Sequence, residues 1–418
     1  MKKYTLILLL SIVVALNTKG QSYSPIIFDQ QLSQNFGAYN LITAHRAFYM
    51  FEDKHIRDTL FKENTALKKT AGIGYRLAKL LVLDAQIDCF TALLQHEAFG
   101  HGARYRELGY TKNSFNLNLY FPFGGGSGFA QRGTLQAGYK YPTSQENIAA
   151  SIGGVDAEML LAGNLANQIL LDDTVHYRNG LLYLIAQNNL PLYLWSTRYT
   201  QPQNIKPGND MMAYINGINY MYSRTPNKIY DINTLSTQSL ISLANPLQVY
   251  SAFSIVYSYL IKGEKQMKKI PMIKLGQVRY LPALGYSFTP FGSQYHFINY
   301  IRYKRMLFNA DFNMGENTFT NFYGVSIKGF NVVNNKRLTL NFHLDVWNQP
   351  ELDLDNYLRP STVDKIGGAV KVDLMLRPFV RQNKIGLFVQ TGYKTKGYIT
   401  GEVMAESFIL RYGISMHL

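Results

Sequence analysis

The segment His96-Glu97-Ala98-Phe99-Gly100-His101 sets two imidazoles and a carboxylate within two helical turns, the groups from which a hydrolytic metal site is built. In the arrangement His-Glu-x-x-His, the imidazoles at i and i+4 share a helix face and bind zinc, while the glutamate draws a proton from water. Here the second histidine stands at i+5. At about 100° per residue, a regular α-helix sets His101 roughly 140° round from His96, too far for one ion. A single π-turn absorbs the extra residue and returns both side chains to one face, and such turns favour functional sites. The sequence therefore predicts a π-bulge, with Gly100 permitting it, His96 and His101 as metal ligands and Glu97 as general base.

A catalytic zinc holds three protein groups and a water. Downstream, Gly153-Gly154-Val155-Asp156-Ala157-Glu158 opens a helix, and Glu158 is the expected third ligand. Its apolar neighbours Met159, Leu160, Leu161 and Ala162 argue against a wholly solvated face, although a surface carboxylate is the competing reading. Asp156, at the expected helix start, reads as an N-cap. Tyr105, Arg104 and Arg132 are candidates for oxyanion stabilisation. The alternating segment from Phe115 to Phe121 is a half-buried strand whose edge could receive an extended peptide. The glycine-rich loop from Gly124 to Gly128 lacks the Gly-Lys-Ser/Thr ending of a phosphate loop and reads as a lid or turn. His45, His55, His176 and His343 stand alone and read as structural or exposed.

His96-Glu97-x-x-Gly100-His101 resembles the zinc motif of the dipeptidyl peptidase III family, which accommodates the extra residue and takes its third ligand from a glutamate on a later helix. That resemblance covers only the motif, and it implies a zinc peptidase with Glu158 in the third place. A second resemblance competes. The order His-Glu helix, strand, Ala162-Gly163-Asn164-Leu165-Ala166-Asn167, Asn189-Leu190-Pro191 and Gly208-Asn209-Asp210 is similar to the site-2 protease family, which carries Ala-Gly-Pro-x-x-Asn and a later Asp-Gly ligand. It would make Asp210 the ligand, but Asn164 stands in place of the proline and Met211 in place of the glycine.

The elements that must position these residues divide near Pro271. Residues 1–20, with Met1-Lys2-Lys3, an apolar run from Tyr4 to Leu16 and a small-residue exit, read as a secretory signal peptide, and no cysteine follows to carry a lipid anchor. Cys89 is the one cysteine, so an internal disulfide is excluded. Residues 21–270 read as a mainly helical, metallopeptidase-like domain. The stretch from Ala71 to Leu108 reads as one or two helices and carries Arg76, Lys79, Asp84 and Asp88, which argue against a simple membrane span. The uncharged run from Ile232 to Ile261 is broken at Asn245-Pro246 and reads as buried or interfacial helices.

Residues 271–418 alternate apolar and polar, as in Leu338-Thr339-Leu340-Asn341-Phe342-His343-Leu344-Asp345-Val346 and again from Val370 to Leu376. About eight such segments follow one another, the last running from Phe408 to Leu418, and most approach the length of tilted membrane-spanning strands. The predicted fold class is α+β: a helical part followed by an antiparallel β-domain of about eight strands, read as a membrane β-barrel, with a soluble sandwich as the alternative. The net charge of +15 is dispersed, with no arginine-rich arm. It suits an anionic membrane surface better than nucleic acid, which is excluded as a partner.

Together these readings predict an exported zinc-dependent peptidase in the outer membrane or periplasm of a Gram-negative bacterium, acting on a peptide or protein in contact with outer-membrane lipid. The alternative is a non-enzymatic outer-membrane barrel, whether anchor, pore or binding module, with a degenerate histidine site. A zinc hydrolase acting on a lipid or glycan amide is a third reading.

Overall fold

The computed structural model describes residues 23–56, 65–121, 126–223, 230–335, 337–354, 363–378 and 385–417. The expected signal peptide and the start of the glycine-rich loop lie outside the described residues.

Strand β1 (Tyr23–Phe28) leads into helix α1 (Gln34–His55), whose first turn is capped by the Ser33 hydroxyl accepting from the Phe36 N–H. Helices α2 (Ala66–Lys79), α3 (Ala85–Leu94) and α4 (Gly102–Glu107) form one rod, joined by π-turns at Leu80–Asp84 and Gln95–His101. The joining residues keep right-handed helical dihedrals, so the rod is not broken there. A hairpin of β2 (Ser114–Leu119) and β3 (Gly126–Gln131) follows.

Helix α5 (Ser144–Leu171) opens on a capping box in which Thr143 and Glu146 satisfy each other's backbone N–H groups. The helix thus begins well before Asp156, which lies in its interior and is no N-cap: a capping box upstream outranked a lone aspartate. Helix α6 (Tyr177–Tyr199) contains Pro191, and α7 (Asp210–Tyr222) is capped by Asn209. Helix α8 (Ile232–Ser239) runs through a 3₁₀ turn at Leu240–Ala244, and α9 (Pro246–Ser254) ends in a third π-turn, Ile255–Ile261. The two arms meet at 67° because Asn245 caps the second and Pro246 starts it. No single described helix is long and apolar enough to cross a membrane, but this bent pair is by length and composition.

The C-terminal part is one large antiparallel sheet. Short β4 (Ile273–Leu275) precedes the long strands β5 (Val278–Thr289), β6 (Gly292–Tyr303), β7 (Met306–Glu316), β8 (Asn321–Asn334), β9 (Leu338–Pro350), β10 (Asp364–Leu376), β11 (Ile385–Lys394) and β12 (Ser407–His417). The strand order is β1-β12-β11-β10-β9-β8-β7-β6-β5-β4, so the eight expected strands pair as an up-and-down meander and gain one strand at each end. Strand β1 comes from the N-terminal side of the chain, and β4 covers only Val278 to Tyr280 of β5.

Both sheet edges are covered by helices. Asn40 of α1 accepts from the Ile27 N–H and donates to the Ile27 carbonyl, and the Thr43 hydroxyl donates to the Pro25 carbonyl, which satisfies the outer edge of β1. At the other end of the sheet the 3₁₀ turn and α9 pack against β5. The inner face of the sheet shares a core with the helices, in which Leu281, Ala283, Tyr300 and Leu307 join Ile42, Leu161, Leu165 and Tyr183. Polar groups fill the rest of that face: Arg302 donates to the Leu170 carbonyl, Arg411 binds Asp29 and Glu402, and Ser287, His296 and Asp311 are hydrogen-bonded in series. The opposite face exposes Phe297, Phe312, Val346, Val370, Leu410 and Tyr412.

Candidate metal centre

The π-turn at Gln95–His101 places His96 and His101 on one face, as the i+5 spacing requires. Their Nε2 atoms are 3.3 Å apart, and Asp210 Oδ2, at the first residue of α7, lies 3.3 Å from His96 Nε2 and 3.2 Å from His101 Nε2. These three donors form the cluster able to hold an ion among the described residues. Ligands at about 2.0–2.1 Å in a tetrahedron stand about 3.3–3.4 Å from each other, so the triangle already has the required dimensions.

The supporting contacts point the same way. His101 Nδ1 donates to the Ala150 carbonyl at 2.8 Å, which leaves the lone pair on Nε2. Glu158 Oε2 lies 3.1 Å from His96 Nδ1 and also accepts from the Asn189 amide. The structure therefore puts Glu158 behind His96, where a carboxylate orients a metal-binding imidazole, and brings Asp210 to the open side.

Two lone-pair nitrogens and a carboxylate converging in a buried space call for a positive charge, and the protonation equilibria express this. Burial opposes charge on His96, but Glu158 and Asp210 outweigh it and raise its pKa well above the ordinary value. His101 is likewise raised, Asp210 prevailing over burial. Burial disfavours the Asp210 carboxylate, yet the two histidines hold its pKa far below the usual range.

Glu97 is buried, and its Oε2 has no hydrogen-bond partner among the described residues. Burial raises its pKa, with His96 and His101 acting against the rise. Gly128 of β3 lies directly on this carboxylate, so close that a side chain there would collide with Glu97. The β2–β3 hairpin thus roofs Glu97.

Glycines allow the helices to meet. A Cβ on Gly100 would stand 2.6 Å from the Gly153 carbonyl oxygen, and one on Gly154 would strike His96 Nε2. Gly100 accordingly serves the close passage of α5 beside the π-turn.

Of the other expected residues, Tyr105 packs beside His101 and Arg132 stacks on Tyr105 at 5.2 Å. Arg104 is turned to Glu107, the Glu402 carbonyl and the Tyr398 ring, away from the donors. Tyr193, which sequence reasoning passed over, accepts from the Asp210 N–H and packs near His96. Its only signal is its place on α6, one turn after Asn189, whose amide donates to Glu158 of α5. His45 and His176 bind Asp88 and Asp53 in structural pairs.

No known family model matches the chain, and no curated protein matches it. The zinc-peptidase resemblance therefore rests on its six residues alone. Among solved structures, a NanC porin is similar over 35% of this chain and 76% of its own length, at 15% identity and a TM-score of 0.24. A likeness that loose decides neither fold nor function.

Proposed function

We propose that the protein is a membrane-embedded, zinc-dependent hydrolase of the outer membrane that cleaves peptide bonds. One observation carries this reading: the 3.2–3.3 Å triangle of His96 Nε2, His101 Nε2 and Asp210 Oδ2 beside Glu97, whose Oε2 has no hydrogen-bond partner among the described residues. Zinc bound there would act as a Lewis acid on the scissile carbonyl and make water more acidic. Glu97 takes the proton from the attacking water and delivers it to the leaving amine as the carbon–nitrogen bond breaks. Glu158 and the Ala150 carbonyl hold the two imidazoles with Nε2 outward, and Tyr193 fixes the start of α7. An extended peptide adding to the β2–β3 hairpin would pass over Glu97. Export through the N-terminal leader belongs to the same proposal.

A second reading, a non-enzymatic outer-membrane β-protein, is favoured by the meander of long strands with a polar inner and an apolar outer face. The two are separated by measuring metal in the purified protein and cleavage of a fluorogenic peptide library by wild type and Glu97→Gln. One zinc per chain in both, with cleavage by wild type alone, is expected. Absence of stoichiometric zinc leaves the second reading; zinc without peptide cleavage removes the peptidase assignment.

A further inference from the structure

We propose that helices α1, α2–α3 and α9 form the part of the membrane-facing wall that the open sheet leaves missing, so that lipid acyl chains touch helix as well as strand. This rests on the reading of the sheet's outer face as membrane-embedded.

The helices are inverted relative to what water selects. Across residues 71–94 every charged side chain, Arg76, Lys79, Asp84 and Asp88, is buried, while Ile73, Leu77, Leu81, Val82 and Phe90 are exposed. A surface helix in water has the opposite distribution. Residues 246–261 repeat it: Gln248, Ser251, Ser254 and Ser258 are buried, whereas Val249 and Phe253 are 64% and 58% exposed and Val256 and Ile261 are also open. In α1, His45, Arg46 and Glu52 point inward and Phe48 and Phe51 outward.

The inward charges are matched rather than stranded. Arg178 reaches Glu52, Asp84 and Asp88 at 2.8, 3.1 and 2.6 Å, and Lys79 lies 2.9 Å from Asp84. Arg76 donates to the Leu260 carbonyl and so ties α2 to the π-turn after α9.

Lipid is the occupant that fits. Helix α1 packs on β1 at one end of the sheet and the 3₁₀ turn and α9 on β5 near the other, and edge groups of β1 are satisfied by Asn40 and Thr43, as hydrocarbon requires. Residues 71–94 rise about 36 Å at about 1.5 Å per residue, enough for a hydrocarbon layer of about 30 Å. The metal donors begin directly beyond this run, at His96.

The test uses the full chain with Cys89→Ser and single cysteines in place of Leu81, Val256, Val346, Leu410 or Tyr141, each labelled with bimane and reconstituted in phosphatidylcholine or its brominated form. Two positions report each surface, so one poorly folding variant does not remove the measurement. A loss of roughly half or more of the fluorescence in brominated lipid, whose quencher lies in the hydrocarbon layer, is expected at Leu81, Val256, Val346 and Leu410, and none at the loop residue Tyr141. Quenching at Val346 and Leu410 without quenching at Leu81 and Val256 overturns the helical wall and leaves the sheet in the membrane. Absence of quenching at all four overturns both.

Discussion

Two π-turns on one helical rod make the same geometric move toward different ends. Lys79 and Asp84, five residues apart, meet at 2.9 Å across the first; His96 and His101, also five apart, meet at 3.3 Å across the second. At the first turn the chain supplies both signs of charge: Lys79 and Arg178 face Glu52 and Asp84, and Arg178 also reaches Asp88. At the second the carboxylates of Asp210 and Glu158 face the two histidines, and no described lysine or arginine pairs with either. An i,i+5 pair thus says where two side chains meet. The charge of what surrounds them separates a pair already matched by the chain from one whose donors could take an ion.

If the second turn did not depend on an external cation, the two turns would differ only in their residues. Replacing His96, His101 or Asp210 by alanine should abolish stoichiometric zinc, measured by elemental analysis after dialysis. Glu97→Gln should keep the metal and lower kcat by about 10²–10⁴-fold, the range of a general base. At the first turn the expectation reverses. Arg178→Ala leaves buried carboxylates uncompensated and should cost about 3–5 kcal/mol of stability, read as a lower denaturant midpoint, while the folded fraction keeps its zinc. Glu158→Gln comes next, with a loss of about 10–100-fold in zinc affinity, as for other groups that orient a ligand. A loss as complete as that of Asp210→Ala would make Glu158 a ligand.

What was legible in the sequence follows from how local each signal is. The eight long strands announced themselves by alternation, β5 only from Leu284 to Phe288 of its Val278–Thr289 span, because each has one apolar and one polar face. The π-turn followed from arithmetic on His96 and His101. The choice between Glu158 and Asp210 needed the path of the chain over more than a hundred residues, since both carboxylates touch His96, one on each ring nitrogen. Arg76, Lys79, Asp84 and Asp88 argued against a simple membrane span, and their burial was not legible because charge reads as exposure until its partners, chiefly Arg178 on α6, are known. β1 and β4 are short, and β1 is legible only through its pairing with β12.

Asp156 is a third case, a carboxyl with neither a hydrogen-bonded cation of the chain nor a place among the candidate metal donors. It is fully buried in α5 with both oxygens unpartnered among the described residues. Burial pushes its pKa from 3.8 up to about 8, against the pull of Arg104 and His101. Between those values the folded chain holds a proton that the unfolded chain has released. Stability must then fall as pH rises through the window, by up to about 1.4 kcal/mol per pH unit, and level off above it. Asp156→Asn removes that slope, so the variant should gain on wild type between pH 5 and pH 8.5 in denaturant midpoint. A constant difference across that range would mean that Asp156 is ionised in the fold, and that its charge is met as fully as those at the first π-turn.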